Sequence, residues 1–561
     1  MLATSPISRQ RRWELLVVIL GLAPVAFWVV LGGRLLQPSN IDWLMTGDDG
    51  GQHYLGWEFF RGAPLWQLPF GANPHYGDEI SSSIVFTDSI PLMALLLKII
   101  SPLLPTPFQY HGIWLFVCFL LQGYFGYRLA AMVTPHAPLR FVGTALFLMA
   151  PIFLFRISVS HYASAAQWVV LAAICCYAST TFRARSWFAL LLCASLVNVY
   201  LLVMACGIYV ADLGRRLWCG ERSLKPVVRD LTVAALACLA TMWVAGYFMA
   251  SKYTAGQGFG FYRMDILAPI NPGELWSAAI PALPSAEGDF EGFAYLGLGV
   301  LLSIPFVLRG GQSLTARARQ ASFVVPIAVV GVGFALFALS CNIAIGGTEV
   351  ASYPVPGTLW ALAGTFRASG RFAWPLYYLV MCVTFGAVAR CGPPRRAMLL
   401  AFVLFAIQMV DISGAVGELH GRIATAPAWQ SPMKAELWEQ FAARYDKIAV
   451  VLPAKRYDDY LSIGHFAVSH GMSTNGVYFA RVHQEKLASA TRRIRTEVLE
   501  GRYEPTSLYL FGDDDLWTAA TSAPDRSDFV GVLDGFRVVA PGAGNEEWNG
   551  ATRPLPEEGR P

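Results

Sequence analysis

The sequence predicts an α-helical polytopic membrane protein with a small α/β domain at its C-terminal end. Of the 561 residues, 55% are hydrophobic and only 14% are charged, whereas soluble domains carry about 25% charged residues. The charges are also unevenly placed, because the segment after Gly417 is rich in Asp, Glu, Lys and Arg. An ordinary soluble enzyme is therefore excluded, and the high content of aromatic and aliphatic residues excludes a disordered chain.

Apolar runs that suit membrane spans recur along the first 417 residues. A spanning helix needs about 20 mostly apolar residues, and the first run follows three arginines, which favours a cytoplasmic N-terminus. That run is longer than the core of a typical signal peptide and lacks a clear cleavage site, so it is interpreted as an uncleaved span. The eleven predicted spans are Trp13–Leu36, Ile113–Met132, Phe141–Phe155, Ala163–Thr181, Trp187–Val197, Tyr200–Leu213, Val228–Ala250, Tyr295–Leu308, Ser322–Cys341, Phe372–Val388 and Ala397–Val410.

The distribution of Lys and Arg between these spans predicts their orientation. The run Pro91–Leu104 is short, contains Lys98 and is interrupted by prolines, which indicates a helix at the membrane surface. With that assignment most Lys and Arg fall in inner loops, as the positive-inside rule requires. An odd number of spans then places the polar tail outside, which is the periplasmic side of a bacterial inner membrane.

The spans and the polar tail divide the chain into three predicted parts. Residues 1–417 form a transmembrane domain with a long first outer loop at 37–111. Residues 418–540 form a periplasmic α/β domain, and the Pro- and Gly-rich segment 541–561 is expected to be disordered. The tail's regular elements are predicted at Lys447–Leu452, Gln484–Leu499, Ser507–Phe511, Phe529–Leu533 and Phe536–Ala540.

The first outer loop is the leading candidate for a functional site, because long ordered loops are usually functional. Asp48 and Asp49 adjoin glycines in the string Thr46–His53, and Glu58 follows. Paired acids can act as a general base or hold a hard cation, whereas the alternative is a simple Gly/Asp turn. Asp88 precedes the surface helix, where a helix cap and a site residue are equally good interpretations. The loop's seven carboxylates are Asp42, Asp48, Asp49, Glu58, Asp78, Glu79 and Asp88.

Arginine is scarce in the predicted outer loops, so each arginine found there is a candidate for a specific role. Arg156 and His161 flank the outer end of the third and fourth spans, and Arg367 and Arg371 lie four residues apart around Ser-Gly. Guanidinium groups bind phosphate oxygens in bidentate fashion, so a phosphate or pyrophosphate suits them. The alternatives are snorkelling at the membrane edge and contact with lipid headgroups. Three outer acids form a further cluster, for which a solvated loop is the favoured interpretation and a site is the alternative: Glu287, Asp289 and Glu291.

Several function classes find no support in the sequence. It contains no P-loop, Rossmann glycine fingerprint, nucleophile elbow or zinc-helix motif. The spans carry few ionisable residues away from their ends, which argues against an ion-driven transporter. No basic run with interleaved aromatic residues suggests nucleic acid as a partner.

The order of these features resembles the GT-C superfamily of integral membrane glycosyltransferases. The shared features are an inside N-terminus, one span, a long outer loop with an acidic pair, a surface helix, many further spans and an outer soluble tail. More narrowly, the strings around Gly47–Trp57, Phe86–Leu92 and Phe366–Phe372 resemble a bacterial family of such proteins, catalogued as a domain of unknown function. The resemblance covers about residues 10–540.

The resemblance implies transfer of a sugar from a polyprenyl-phosphate donor to an acceptor on the periplasmic face. Asp49 would be the general base, with Asp48 as its neighbour or substitute. Many GT-C enzymes need a divalent cation, so Asp48 and Asp49 are also candidate ligands for Mg²⁺ or Mn²⁺. The candidate donor-phosphate ligands are Arg367, Arg371 and Arg156, and the candidate supporting residues are Asp88, His161, His53 and Glu58.

Two other functions stay open at this point. One is a flippase or transporter of lipid-linked saccharide, and the other is a non-catalytic envelope assembly protein. The acceptor, whether a glycan, a lipid or a protein, is not specified by any residue. Contact with membrane lipid follows from the spans under each of these functions.

Overall fold

The computed structural model describes residues 9–46, 48–250, 257–308, 314–522 and 527–544. Most of this chain is helical, as expected. The α-helices, in chain order, are α1 (Arg9–Val17), α2 (Ala23–Leu31), α3 (Asp42–Met45), α4 (Asp48–Gly62), α5 (Pro91–Ile99), α6 (His111–Val133), α7 (Ala137–Leu148), α8 (Pro151–Ser158), α9 (Trp168–Tyr177), α10 (Ala184–Val197), α11 (Val199–Trp218), α12 (Leu224–Ala245), α13 (Leu298–Leu301), α14 (Ile304–Leu308), α15 (Leu314–Leu339), α16 (Gly357–Gly364), α17 (Trp374–Ala389), α18 (Pro394–Asp411), α19 (Ser413–Ala424), α20 (Glu436–Ala442), α21 (Tyr460–Ser469), α22 (Gln484–Leu499) and α23 (Asp514–Ser522).

Short strands and tighter helical turns complete the secondary structure. A π-helical turn, Val18–Leu22, joins α1 to α2. The 3₁₀ turns are Arg34–Leu36, Ser101–Leu103, Tyr247–Met249, Glu287–Gly292 and Ser369–Ala373. The strands are β1 (Gln257–Gly260), β2 (Asn342–Ile345), β3 (Thr348–Ser352), β4 (Lys447–Val451), β5 (Ser473–Thr474), β6 (Ser507–Phe511), β7 (Phe529–Leu533) and β8 (Phe536–Ala540).

Six helices of the described chain are long and apolar enough to cross a membrane. A seventh candidate is the pair Pro394–Asp411 and Ser413–Ala424, which is bent by 53°. The other predicted spans coincide with shorter or more polar helices, such as α9 and α10, so the count of eleven stays a prediction. The six helices are Arg9–Leu31, His111–Val133, Ala137–Ser158, Leu224–Ala245, Ala321–Leu339 and Ser369–Ala389.

Two of the helix ends have clear local causes. The first span ends at Leu31 because Gly32 adopts φ of 72° and ψ of −167°, a backbone conformation that is essentially open only to glycine. The predicted break within Trp187–Leu213 occurs at Asn198. Its side chain accepts a hydrogen bond from the backbone N–H of Tyr200 and so caps the start of α11.

The chain forms two compact units. One comprises residues 1–40, 110–241 and 255–426, and the other comprises residues 41–109, 242–254 and 427–561. The long outer loop thus belongs to the same unit as the C-terminal sheet, whereas the sequence boundaries group it with the spans. We call these the helical unit and the sheet unit.

The sheet unit confirms the predicted small C-terminal sheet domain. Its strand order is β5-β4-β6-β8-β7, with β5, β4 and β6 parallel and the last two pairings antiparallel. Strands β4 and β6 are buried on both faces, which explains their continuous apolar sequences. Helices α22 and α23 cover one face through Ile494, Val498, Leu516 and Trp517. The expected disordered end falls largely on residues outside the described ranges.

A segment of the first outer loop completes one edge of this sheet. Tyr76 forms a parallel bridge with Thr474 of β5, and the Gly77 N–H donates to the Thr474 carbonyl at 2.8 Å. Glu79, at φ 67°, accepts hydrogen bonds from Lys447 and Arg493. The two-residue edge strand β5 is therefore covered, and its backbone groups are not left open to another chain.

We expect Glu79→Gln to lower stability modestly, by about 1 kcal/mol, because the ion pairs are only partly shielded from water. Burial would raise the pKa of Glu79, but Arg493 and Lys447 outweigh it and lower the pKa below its ordinary value. This contribution is present above pH 4.5 and is lost as the pH falls through the depressed folded-state pKa. Thermal unfolding between pH 3 and pH 7 tests this. An equal acid sensitivity in the variant and the wild type would contradict the assignment.

Candidate functional site

The acidic pair of the first outer loop begins a helix rather than a turn. Helix α4 is 15 residues long and starts at Asp48, and carboxylates interact favourably with the N-terminal end of a helix. The neighbouring glycines permit close packing. A Cβ at Gly50 would lie 2.6 Å from the Leu44 carbonyl oxygen, and one at Gly51 would lie 2.0 Å from Leu461 Cδ2. Asp49 is half-buried, and the side chain of Asp48 lies outside what the structure describes.

Asp49 shares one face of α4 with Gln52, His53 and Gly56, because residues three and four apart line the same side of a helix. This face is fixed against the loop 86–89. His53 Nδ1 lies 2.7 Å from the Thr87 carbonyl oxygen, and the Ser89 hydroxyl donates to the His53 carbonyl at 2.7 Å. Both His53 and Ser89 are buried. His53 thus holds the helix in place.

Gln52 ties the same face to the C-terminal part of the sheet unit. Its amide nitrogen donates to the carbonyl oxygens of Tyr478, at 3.0 Å, and Phe86, at 3.4 Å. The Ala480 N–H donates to the Phe86 carbonyl at 2.7 Å. Three segments that are distant in sequence therefore meet beside the first turn of α4.

Asp88 lies on this loop, and the structure removes one of its two interpretations. Helix α5 begins at Pro91 with Ile90 in the capping position and no side-chain cap, so Asp88 is not its cap. Asp88 has φ of 50° and Ile90 has φ of 49°, an uncommon conformation for residues other than glycine. Such backbone outliers concentrate at functional sites.

Two residues that the sequence did not single out are connected with this loop: Tyr247 lies within electrostatic range of both Asp88 and Arg481. Burial raises the pKa of the half-buried Tyr247, the negative charge of Asp88 raises it further, and Arg481 opposes the shift. The segment 244–249 reaches this position by packing on the loop 71–83, since Ser81 Oγ donates to the Met249 carbonyl at 3.4 Å. No sequence motif signals Arg481, because it lies almost 400 residues beyond Asp88.

Glu58 lies farther along α4 and is buried. Burial raises its pKa to about 7, although Arg61 is only 3.2 Å away. Arg61 also donates to the carbonyl oxygens of Ser101, Leu104 and Pro105. These two residues therefore fasten the end of α4 to the segment that follows α5.

In the helical unit, three of the predicted outer residues converge on Glu291. Arg156 contacts the Glu291 carboxylate at 2.7 Å, and Arg371 donates to both carboxylate oxygens, at 2.8 and 2.6 Å. His161 Nδ1 lies 3.2 Å from Arg156 and 3.5 Å from Arg371. Because a guanidinium can only donate, Nδ1 must act as an acceptor in both contacts.

Glu291 was interpreted from sequence as part of a solvated loop, and the structure corrects that interpretation. Glu291 and Asp289 are buried, whereas Glu287 is exposed. Burial alone would raise the pKa of Glu291, but Arg371 and its neighbours hold it well below the ordinary value. Arg156 is 0% exposed, so it is enclosed by protein in this conformation.

Arg367 has different surroundings from Arg371. It is half-buried, and its guanidinium carbon lies 5.6 Å from the centre of the Tyr262 ring. Within the described residues, no group of three or more His, Cys, Asp or Glu side chains is arranged to hold a metal ion. The Asp48 side chain is not among them, and a divalent cation at Asp48 and Asp49 stays a prediction.

Comparison with known proteins identifies the family and leaves its activity open. A family model described as a domain of unknown function, DUF6311, matches residues 18–413, and a model of the C-terminal domain of the same family matches residues 437–541. No curated protein matches the chain significantly. Since the first model alone covers more than half of the chain, the protein belongs to the DUF6311 family.

Proposed function

We propose that this protein is a GT-C-type membrane glycosyltransferase that transfers a sugar from a polyprenyl-phosphate donor to an acceptor on the periplasmic face. The observation that carries the proposal is the meeting of three segments within the sheet unit: helix α4, which carries Asp49, the loop 86–89, which carries Asp88, and the segment 478–481, which carries Arg481. Asp49 lies on the same face of α4 as His53, which contacts the Thr87 carbonyl. Asp88, the next residue after Thr87, adopts an uncommon backbone conformation. Arg481 belongs to the segment that hydrogen-bonds to Phe86.

The chemistry of transfer needs a base and a cation, and the proposed site supplies both. A carboxylate takes the proton of the acceptor hydroxyl as it attacks the anomeric carbon, which is general base catalysis. We assign this role to Asp49, with Asp48 as its neighbour. The bond to the donor phosphate oxygen then breaks, and a guanidinium stabilises the negative charge on the departing lipid phosphate. We assign this second role to Arg481.

The three arginines predicted to bind the donor phosphate differ in the side chains that they contact. Arg156 and Arg371 share Glu291, so their charges are already engaged within the helical unit. Arg367 contacts the Tyr262 ring and is half-buried, so of these three it keeps its predicted role toward a lipid phosphate, as an alternative to Arg481. We assign Arg156 and Arg371 to holding the loops that carry them.

The direct test is release of polyprenyl phosphate by the purified full-length protein. Polyprenyl-phosphate sugars, offered as a panel of hexoses and pentoses, are incubated with the protein in nanodiscs, and the lipid product is followed by mass spectrometry. A glycosyltransferase releases polyprenyl phosphate from at least one donor, whereas a flippase leaves every donor intact and moves it between leaflets. Movement without cleavage would overturn the proposal.

We expect Arg481→Gln to lower kcat/KM for the accepted donor by about 10- to 100-fold, because a charge-assisted hydrogen bond contributes about 1.5–3 kcal/mol. Arg481→Lys should keep part of the activity, since the charge is retained. The matched control is Arg492→Gln, because Arg492 is exposed on α22. Equal losses in Arg481→Gln and Arg492→Gln would contradict the role assigned to Arg481.

A further inference from the structure

Helix α5 has an unusual distribution of polarity in the sheet unit. Its charged residue, Lys98, is buried, and the ammonium nitrogen lies 3.8 Å from the centre of the Phe60 ring. Leu96 and Ile99 are instead exposed, and Leu103, in the 3₁₀ turn that follows, is 85% exposed. A helix that faces water shows the opposite arrangement, with its charges outside and its leucines inside.

A second apolar element follows the end of α4. In the segment 62–71, Trp66 is 82% exposed, Leu68 is 72% exposed and Leu65 is also exposed. Exposed apolar surfaces of this kind mark sites that contact another molecule or a membrane. Arg61 connects the two elements, since it lies at the end of α4 and binds the carbonyl oxygens of the segment after α5.

The segment 62–71 is attached to the end of a candidate membrane span. The Gly71 N–H donates to the Val244 carbonyl at 2.9 Å, and a Cβ at Gly71 would lie 2.1 Å from the Ala245 carbonyl oxygen. Ala245 is the last residue of α12, an apolar helix long enough to cross a bilayer. Glycine is therefore required at position 71, and the apolar segment begins where α12 ends.

Helix α12 carries exposed apolar residues over its last turns. Leu236, Leu239 and Trp243 are exposed at spacings that place them on one face of the helix, and Phe248 is exposed just beyond it. Tryptophan is enriched where spans meet the headgroup region, because its ring is apolar and its N–H is polar. Gly71, at the end of the segment 62–71, lies beside this end of α12.

We propose that Leu65, Trp66, Leu68, Leu96, Ile99 and Leu103 form an interfacial patch that inserts into the headgroup region of the lipid bilayer. The patch holds the C-terminal end of α4 at the membrane surface. The inward position of Lys98 leaves the exposed face of α5 apolar, as insertion requires. This proposal is independent of the glycosyltransferase activity, and it extends the predicted surface helix to the loop that carries Trp66.

Carbene labelling of the full-length protein in liposomes tests the patch. One probe is a phospholipid with a diazirine near its headgroup, and the other is a water-soluble diazirine. We expect the lipid probe to label 62–71 and 96–103 several-fold more than the peptide that contains Leu499. Leu499 is the matched control, because it is an apolar residue of the same unit and is 58% exposed.

Two outcomes would overturn the proposal. If the water-soluble probe labels 62–71 as strongly as the Leu499 peptide and the lipid probe does not, the patch faces solvent. If neither probe labels it, another protein surface covers it. Trp66→Ser with Leu68→Ser gives a second measurement, because both side chains are largely exposed. This variant should lose lipid labelling at 62–71 and retain the labelling at 96–103.

Discussion

Replacing Asp49 by Asn is expected to lower the rate of the proposed sugar transfer by about 10²–10⁴-fold, the range typical of a lost general base. The amide cannot accept the proton of the acceptor hydroxyl, but it has almost the same shape as the carboxylate. Helix α4 is held by His53, Gln52 and Ser89, so the fold should be retained. The measurement is kcat for polyprenyl phosphate release, together with insertion and thermal unfolding of the variant.

Two control variants make this result specific. Asp515→Asn removes an exposed carboxylate at the start of α23 and should leave the rate unchanged. Asp48→Asn, alone and with Asp49→Asn, shows whether the neighbouring acid acts as the substitute base. Full activity in both single variants and in the double variant would refute a carboxylate mechanism at this helix.

Replacing Glu291 by Gln is expected to lower the free energy of unfolding by about 3–5 kcal/mol. The substitution leaves two buried guanidinium groups without their shared carboxylate, and an unpaired buried charge is strongly destabilising. Arg156 is fully buried, and Arg371 donates to both oxygens of Glu291. A fall in the midpoint of thermal unfolding of the detergent-solubilised protein would report this loss.

The same loop provides the matched control for Glu291. Glu287 is exposed four residues earlier, so Glu287→Gln should change the midpoint little. Removing one arginine together with the carboxylate, in Glu291→Gln with Arg371→Gln, should recover part of the stability, because neighbouring effects are not additive. A Glu291→Gln variant as stable as Glu287→Gln would show that the two arginines do not depend on this carboxylate.

The regular elements of the C-terminal sheet could be predicted from sequence because each one is a local pattern. The runs at Ser507–Phe511, Phe529–Leu533 and Phe536–Ala540 form strands with these bounds, and Gln484–Leu499 forms α22. Short apolar runs flanked by polar residues favour strands. A single apolar stripe along an otherwise polar helix favours an amphipathic helix that packs one face on the sheet, as α22 does. The span count could not be fixed in the same way, because runs such as α9 are helical but too short to cross a bilayer unaided.

The candidate site was only partly accessible from the sequence because its contacts join distant segments. Asp49 and His53 lie on one helix, and their relation follows from helical spacing. Their relation to Asp88 and Arg481 depends on how the loop and the C-terminal segment pack. Glu291 was misinterpreted for a similar reason: an acidic loop resembles a solvated loop until the arginines that bury it, Arg156 and Arg371, are brought beside it.

The edge of the C-terminal sheet has a consequence for the order in which the protein is made. Lys447, which binds Glu79, lies 368 residues beyond it in the chain. At about 5–20 residues per second, the ribosome reaches Lys447 roughly 20–70 s after Glu79. During that interval the loop with Tyr76, Gly77 and Glu79 has no sheet to join, so the sheet unit matures only after synthesis of the chain is nearly finished. An early truncation would therefore leave the N-terminal loop without its folding partner.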